Sequence, residues 1–324
     1  MVLIGGMTRL TNSGLSMVEW NLFMGSIPPT SDAEWQELFE KYKQYPEYQL
    51  VNFNISIEDF KSIFYWEYGH RMFGRFIGLV FIIPFAWFLI RKKIKKPLLP
   101  KLLLILFLGS LQGFLGWYMV ESGLIKNPDV SHYRLAMHLI TAFITFAYTF
   151  WVALGLINPS PTNHQKGMKK PLIILLFLLI LQIVWGAYVA GLNAGKIYNT
   201  WPLMGDTLIP DAVTAMQPWW QNFVAGIAGV QFIHRYLAYV IVGLVIYLFV
   251  KSRKLKLSSS QQKGIYFLLF AVGFQFILGI FTLLMAVPIS LGILHQLGAF
   301  VLLAATVYVL HQFRGKKVNL SLST

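Results

Sequence analysis

Four histidines stand out among the residues that could do chemistry, because all four lie inside strongly hydrophobic segments. They are His70, His138, His234 and His295, and they form two pairs at matching places in the two halves of the sequence. An ionisable side chain inside a membrane helix is costly and usually has a function. A lone buried histidine could equally be a hydrogen-bonded structural residue, but four in matching places favour ligands. The pattern predicts two iron sites, each held by two histidines.

A carboxylate accompanies only the first of these pairs. Glu67 lies one helical turn before His70, whereas the corresponding residue in the second half is Gln231. Residues three apart share a helix face, so Glu67 could stabilise a developing positive charge or transfer protons beside His70. The alternative is an interfacial glutamate that pairs with Arg71 or Arg75. The asymmetry predicts that the two sites have different tasks.

The elements that position these residues are membrane helices. Apolar residues make up 56% of the 324-residue chain and charged residues only 12%, which is about half the charged share of a soluble domain. Runs long enough to cross a bilayer predict seven full spans, at roughly 64–90, 102–121, 132–157, 171–192, 222–250, 264–286 and 289–313. No secretory signal peptide is visible at the start of the sequence.

The net charge of +14 is distributed as in a membrane protein, not as in a nucleic-acid-binding protein. Basic residues cluster at 91–101, 166–170, 251–263 and 314–317, in segments that contain no acidic residue. The positive-inside rule therefore predicts that these loops and the C-terminus are cytoplasmic. The chain has no cysteine, which excludes disulfides, thiolate-bound clusters and covalent c-type haem attachment.

The two halves of the sequence repeat one another. Besides the histidines, the recurring pairs are Gly5 and Gly186, Asn12 and Asn193, Gly14 and Gly195, Gln112 and Gln275, and Gly116 and Gly279. We therefore expect two copies of one four-helix unit, related by an axis along the membrane normal. On this view Met1–Leu10 is the end of a first helix that begins upstream of the printed sequence.

The predicted fold is an all-α integral membrane protein of two pseudo-symmetric four-helix bundles, with eight spans of which the first is truncated. Residues 1–157 form the first unit, and residues 171–313 form the second. A basic cytoplasmic linker at 158–170 joins the two units, and a cytoplasmic tail follows at 314–324.

A haem suits these histidine pairs better than other metal sites do. A di-iron bundle site needs several carboxylates, and structural zinc needs four converging ligands. Gly74 and Gly78 lie on the same helix face as His70 and leave room for a porphyrin ring; their alternative role is to permit close helix packing. Three histidines have no counterpart in the repeat and are interpreted as solvated or interfacial: His132, His164 and His311.

Arginines follow the first histidine of each pair. Arg71 and Arg235 occupy this position, and Arg75 adds a cation where the second half has Tyr239. An arginine inside a membrane needs an anionic partner or a route to the interface. Outward-pointing haem propionates would accept bidentate hydrogen bonds from such arginines.

The motifs around the first histidine resemble those of the haem A synthase family. The matching segments are Glu67-Tyr-Gly-His70-Arg71-Met-Phe-Gly74-Arg75, the stretch from Gly5 to Trp20 and the loop from Gly25 to Pro29. The outer loop at 30–63 is similar to that of mitochondrial and proteobacterial members. The resemblance covers nearly the whole chain and implies oxidation of the C8 methyl group of haem O to the formyl group of haem A. In the family the methyl is hydroxylated twice, and the geminal diol loses water.

For the first unit, the resemblance implies a site for the substrate haem. His70 and His138 would flank the substrate iron, and Arg71 and Arg75 would bind the same haem. Glu67 would be catalytic, which agrees with the asymmetry that the residues themselves showed.

For the second unit, the resemblance implies a haem b cofactor (iron protoporphyrin IX) that accepts electrons. Its iron would be ligated by His234 and His295, with Arg235 also binding the haem. The implied partners are haem O, a haem O synthase, cytochrome oxidase assembly factors and a membrane electron acceptor, in the inner or cytoplasmic membrane. A homo-oligomer is also compatible with the resemblance, and nucleic acid is not. Some bacterial members carry a cysteine pair in an outer loop, so any mechanism that needs that pair does not apply here.

Two other classes of function fit the same histidines. One is a two-haem b-type electron-transfer cytochrome without a haem substrate, and the other is a transporter or chaperone for haem. An electron carrier would have no need of Glu67, so this residue discriminates between the first alternative and the enzyme.

Overall fold

The computed structural model describes residues 1–18, 27–125, 128–157 and 167–314, and their regular structure is helical. The α-helices of these segments are α1 Val2–Leu10, α2 Asp32–Tyr42, α3 Pro46–Leu50, α4 Ile57–Ile90, α5 Leu99–Leu124, α6 His132–Ile157, α7 Lys169–Gly191, α8 Ile227–Ser252, α9 Ser259–Leu284 and α10 Ile289–Gln312. Three 3₁₀ turns lie between α7 and α8. The predicted all-α class is confirmed for the described residues.

The seven helices from α4 to α10 are long and apolar enough to cross a membrane. They contain between 23 and 34 residues, and about 20 residues suffice to span the hydrocarbon core. Large apolar side chains lie exposed on their surfaces, such as Phe76 and Ile83 of α4 and Phe270 of α9. A lipid environment accommodates such a surface, whereas water would favour its burial. The chain is therefore a multi-pass membrane protein, and each of the seven predicted spans corresponds to one of these helices.

Helices α4 and α9 begin earlier than predicted, at capping residues, and α8 begins later. The Ser56 side chain accepts a hydrogen bond from the Asp59 backbone and the Asp59 carboxylate bonds back, so α4 begins before the predicted residue 64. Ser258 and Gln261 form the same box at the start of α9. The predicted span 222–250 begins too early, because the segment up to Phe223 is a 3₁₀ turn.

The segment 30–63, predicted as an outer loop, contains regular structure: α2, α3 and the beginning of α4. We call α2 and α3 the outer lobe, after that prediction. Its apolar side chains pack on the first turns of α4 in a cluster of buried aromatic rings: Trp35, Phe39, Tyr42, Phe60 and Phe64. Edge-to-face contacts such as Trp35 with Phe64, at 5.1 Å between ring centroids, stabilise this core beyond its buried area.

Helices that follow one another along the chain pack side by side in most cases, as α5 does with α6 and α9 with α10. Contacts between the two halves come from α1, which packs on α10 as well as α4, and from α6, which packs on both α7 and α10. The largest buried cluster lies among α7, α8, α9 and α10 and includes Leu172, Leu248 and Leu268. The second half thus contains the main apolar core of the described chain.

Local features recur at matching positions of the two halves. Helices α1 and α7 are each followed by an asparagine in the left-handed conformation, Asn12 with φ 49° and Asn193 with φ 52°. Asparagine tolerates this conformation better than most residues. Most of the predicted linker and tail lies outside the described residues, as do Trp20 and Gly25; residues 169 and 170 of the linker belong to α7.

Candidate functional site

The second pair of histidines faces each other across the helices α8 and α10. The ring centroids of His234 and His295 are 6.3 Å apart, and the rings are inclined at 75°. A metal–imidazole bond is about 2 Å long, so two rings that ligate one ion from opposite sides have centroids about 6 Å apart. The buried Nδ1 of His234 has no hydrogen-bond partner among the described residues. This pair fits a single metal ion of the kind that haem carries.

The first pair lies on α4 and α6. His70 and His138 are both partly buried. Helix α1 packs on α4, and α5 packs on both α4 and α6, so α1 and α5 contribute to the surroundings of this pair.

A glycine of a neighbouring helix lies against each of the four rings. A Cβ atom added to these glycines would lie 2.9 to 3.1 Å from the nearest ring atom, and the pairs are Gly5 with His70, Gly116 with His138, Gly186 with His234 and Gly279 with His295. Such distances are shorter than ordinary van der Waals contacts, so alanine would displace the ring. These glycines recur in the sequence repeat, but the sequence alone assigned them no role. At Gly74 and Gly78 we expected room for a porphyrin: a Cβ atom added to Gly74 would lie 3.1 Å from Met1 Cε, and one added to Gly78 would meet no atom within 4 Å.

Three glutamines donate hydrogen bonds to the backbone carbonyls of the histidines. The Nε2 atoms of Gln112, Gln182 and Gln275 donate to the carbonyls of His138, His234 and His295, at 3.0, 2.9 and 2.9 Å respectively. The same nitrogen of Gln112 lies 3.0 Å from His138 Nδ1, and that of Gln275 lies 3.2 Å from His295 Nδ1. Each bond joins neighbouring helices and contributes about 1 kcal/mol. Sequence analysis found two of these glutamines in the repeat without giving them a function.

Glu67 lies in a buried cluster of hydrogen-bond donors, one helical turn before His70 on α4. Its side chain is 3% exposed, and it forms an ion pair with Arg71. The second carboxylate oxygen accepts hydrogen bonds from Ser16 Oγ at 2.7 Å and from the backbone N–H of Met17 at 2.8 Å. The pairing with Arg71 is the one expected for a structural glutamate, and the carboxylate is buried in the protein. These donors hold the carboxylate in one orientation.

Gln231 occupies the corresponding place in the second half and is also buried, with 2% exposure. Its Nε2 donates to the backbone carbonyl of Ile197 at 2.6 Å. A neutral amide thus replaces the ion pair, and this part of the second site has no carboxylate.

The arginines after the histidines are tied to the protein backbone. Arg71 donates to the carbonyl of Met17 at 3.0 Å, and Arg235 donates to the carbonyl of Tyr198 at 3.3 Å and to that of Thr200 at 2.8 Å. Arg71 and Arg75 also line a cavity of about 370 Å³ beside α2 and the start of α4. The cavity is of ligand size; Lys41, Glu34 and Glu37 of α2 also line it, whereas His70 and His138 do not.

The three histidines without a counterpart in the repeat differ in their surroundings. His311 is only 2% exposed and packs edge-on against Trp151 at 5.0 Å, so its prediction as solvated or interfacial is wrong; helix α10 turns it into the protein core. His132 is partly buried, as expected of an interfacial residue, and its Nε2 lies 3.0 Å from the carbonyl oxygen of Val224. His164 lies outside the described residues.

The outer lobe contributes a buried carboxyl group that sequence analysis did not single out. Glu47 is 4% exposed, and the Tyr42 hydroxyl donates to it at 3.1 Å. Burial, together with the smaller effect of the negative charge of Glu67, raises the pKa of Glu47 to about 8; the Tyr42 hydrogen bond and the charge of Arg9 only partly oppose this rise. Desolvation of the charged form is the dominant cause.

Comparison with known proteins identifies the family. A family model described as cytochrome oxidase assembly protein matches residues 1–307, and a protein named Heme A synthase from Flavobacterium psychrophilum is 51% identical over 97% of this chain and 94% of its own length. The chain belongs to the haem A synthase family. Proteins of the same name from Flavobacterium johnsoniae and Nitrosospira multiformis are 50% and 47% identical, over 96% and 97% of this chain and 93% and 89% of their own lengths. The resemblance inferred from the motifs is confirmed.

Proposed function

We propose that this protein is a haem A synthase, an oxidoreductase that converts the C8 methyl group of haem O into the formyl group of haem A. The observation that carries the proposal is the 51% identity with a protein named Heme A synthase over nearly the whole of both chains. With water as the oxygen source, each of two hydroxylations replaces one C–H bond of the methyl carbon with a C–O bond and releases two electrons and two protons. Loss of water from the resulting geminal diol leaves the formyl group, and a membrane electron acceptor takes up the four electrons.

The two histidine pairs have different tasks in this proposal. His234 and His295 hold a resident haem b, and their ring spacing of 6.3 Å supports this assignment. Haem b supplies one-electron transfer when bound. His70 and His138 hold the iron of the substrate haem.

The first site also contains the polar residues that the substrate needs. Arg71 and Arg75, which line a common cavity, bind the propionates of the substrate haem as charge-assisted donors. Glu67 stabilises positive charge that develops at the substrate or accepts a proton from it. The ion pair with Arg71 and the bond from Ser16 fix the direction in which the carboxylate points. Arg235 binds the haem b of the second site; like Arg71 it also donates to backbone carbonyls, in its case those of the 198–203 loop.

The finer architecture belongs to the same proposal. We infer eight spans in two pseudo-symmetric four-helix bundles, within the boundaries 1–157 and 171–313, and basic loops and a C-terminus in the cytoplasm. The matching asparagines after α1 and α7 and the matching bonds of Arg71 and Arg235 support the first inference. The distribution of basic residues supports the second. Haem O would reach the site from a haem O synthase in the same inner or cytoplasmic membrane, and cytochrome oxidase assembly factors would receive the product.

The decisive experiment asks whether cells that contain this protein make haem A. The chain is expressed together with a protohaem farnesyltransferase that supplies haem O, and the extracted haems are separated by chromatography. Haem A or its hydroxymethyl intermediate is the expected product. A folded, haem-loaded protein that yields only haem B and haem O would contradict the proposal and support the two-haem electron carrier. A host without the chain is the control.

A further inference from the structure

The hydrogen bonds from Gln112, Gln182 and Gln275 share one geometry. Each side-chain amide crosses from one helix to the next and donates to the backbone carbonyl of a histidine. A helical carbonyl already accepts one bond from the backbone four residues later, and its second lone pair remains available. The glutamine therefore fixes the backbone of the histidine relative to the neighbouring helix without disrupting the histidine's own helix.

At three of the four histidine rings, the glycine against the ring lies one helical turn after the glutamine. The sequence Gln-x-x-x-Gly occurs at 112–116 in α5, at 182–186 in α7 and at 275–279 in α9. The glutamine thus anchors the histidine backbone, and the glycine makes space for the histidine ring. Because residues four apart lie on the same helix face, the two functions fall on the same side of the helix.

For the fourth histidine, the described part of the chain shows no such glutamine. Gly5 of α1 lies against His70 as the other glycines do, but the residue four positions earlier is Met1, whose side chain has no N–H or O–H donor. Met1 contacts Gly74 instead. The helix of His70 is held by Glu67 and Arg71, which bind the segment around Met17 and not a helix beside the ring.

We propose that Gln112, Gln182 and Gln275 are positioning residues for three of the four histidines, and that His70 is the histidine with most freedom to leave the iron. The proposal rests on the haem sites of the proposed function. Groups beyond the ligands set the orientation of a metal-bound histidine, and their loss lowers metal affinity by roughly 10–100-fold. A resident haem benefits from two fixed ligands, whereas a substrate that enters and leaves benefits from one ligand that gives way.

The first test replaces the glutamines with methionine, the residue that lies four positions before Gly5. Gln182→Met and Gln275→Met keep a long apolar side chain and remove the donor. We expect haem b to remain bound but to transfer to apomyoglobin about tenfold faster, and its low-spin electron paramagnetic resonance signal to broaden or split. The control is Gln261→Met, because Gln261 is a buried glutamine in the first turn of α9 that also donates to a backbone carbonyl, that of Gln312, and touches none of the four candidate ligands. Transfer rates and spectra equal to those of the control would overturn the proposal.

The second test compares the two ligands of the first site. His70→Ala and His138→Ala proteins are loaded with haem and titrated with imidazole. We expect His70→Ala to retain several-fold more haem at this site, with imidazole restoring its low-spin spectrum, because His138 keeps its anchored position. Equal or lower retention in His70→Ala would overturn the proposal. If the unchanged protein binds no haem at all, the proposed function fails; if it binds haem and the variants behave like Gln261→Met, only this inference fails.

Discussion

The two candidate haem sites share their backbone contacts and differ in charge. In the first half Arg71 donates to the carbonyl of Met17, and in the second half Arg235 donates to that of Tyr198. The buried residue one turn before the histidine is Glu67 in the first half and Gln231 in the second. The same helix geometry therefore carries an ion pair in one half and a neutral amide in the other.

This difference is informative because a buried ion pair is costly to maintain. Taking two charges out of water has a large desolvation penalty, and a neutral pair of similar shape is often as stable. Gln231 demonstrates that a neutral side chain can occupy this position in the fold, with a hydrogen bond to Ile197. We infer that the first half retains its carboxylate for chemistry and that the second half, without one, only holds a haem.

The largest expected effect is the loss of haem b when one of its two proposed ligands is removed. In His234→Ala or His295→Ala we expect nearly complete loss of low-spin haem b, since one of the two facing rings is gone. The haem content and electron paramagnetic resonance spectrum of the purified protein measure it. His311→Gln is the control, because His311 lies on the same helix as His295 and is buried, but packs against Trp151. An unchanged low-spin signal in His234→Ala would refute the ligand assignment.

Making the first site resemble the second should abolish most activity and leave haem binding intact. Glu67→Gln copies the residue of the second half, and loss of a general acid–base or charge-stabilising group typically lowers the rate by about 10²–10⁴-fold. Haem extraction and chromatography measure the product in cells that supply haem O. A Glu67→Gln protein with full activity would remove Glu67 from the mechanism and restore the equivalence of the two sites.

The two arginines should differ in what they contribute to stability. Arg71→Met leaves the buried Glu67 carboxylate without its cation, which costs about 3–5 kcal/mol. Arg235→Met leaves loop carbonyls without a donor, at about 1–3 kcal/mol. Thermal unfolding in detergent should therefore show a larger shift for Arg71→Met, and the double variant with Glu67→Gln should recover part of it. A larger effect of Arg235→Met would contradict the comparison.

The smallest effect concerns the outer lobe, for which the second half has no comparable described element. The pKa of Glu47 is raised from 4.5 to about 8, so the folded lobe binds the proton more tightly than the unfolded chain does. Its stabilising contribution is complete below pH 4.5 and is lost as the pH rises through about 8. Hydrogen exchange of α2 and α3 should show this loss, and Glu47→Gln should remove it. Lobe stability that rises with pH between these values would show that the carboxyl is not buried as described.

Sequence patterns were sufficient for the membrane helices and for the residues that distinguish the two sites. Hydropathy located all seven long helices, because about 20 apolar residues in succession have few alternatives to a transmembrane helix. The repeat identified the histidine pairs and the contrast between Glu67 and Gln231. Helix starts at Ser56 and Ser258 were less certain, since capping depends on individual hydrogen bonds and not on hydropathy.

Sequence reasoning was least effective for the outer lobe and for His311. The lobe contains charged residues on its exposed faces, and its aromatic residues appeared as part of a loop until α2 was seen to pack on α4. His311 lies near the end of a helix, where solvent exposure was a reasonable expectation. The packing of α6 against α10 covers it with Trp151.

By itself the sequence determined the membrane class, the two histidine pairs and the single carboxylate that separates them. These properties depend on residue type and on spacing along one helix, and both are printed in the chain. The tertiary structure decided which glycine lies against each ring, which carbonyl each glutamine binds and that Met1 stands where a fourth glutamine would be expected. Such contacts depend on how far neighbouring helices rotate and slide against each other, and packing alone fixes that arrangement.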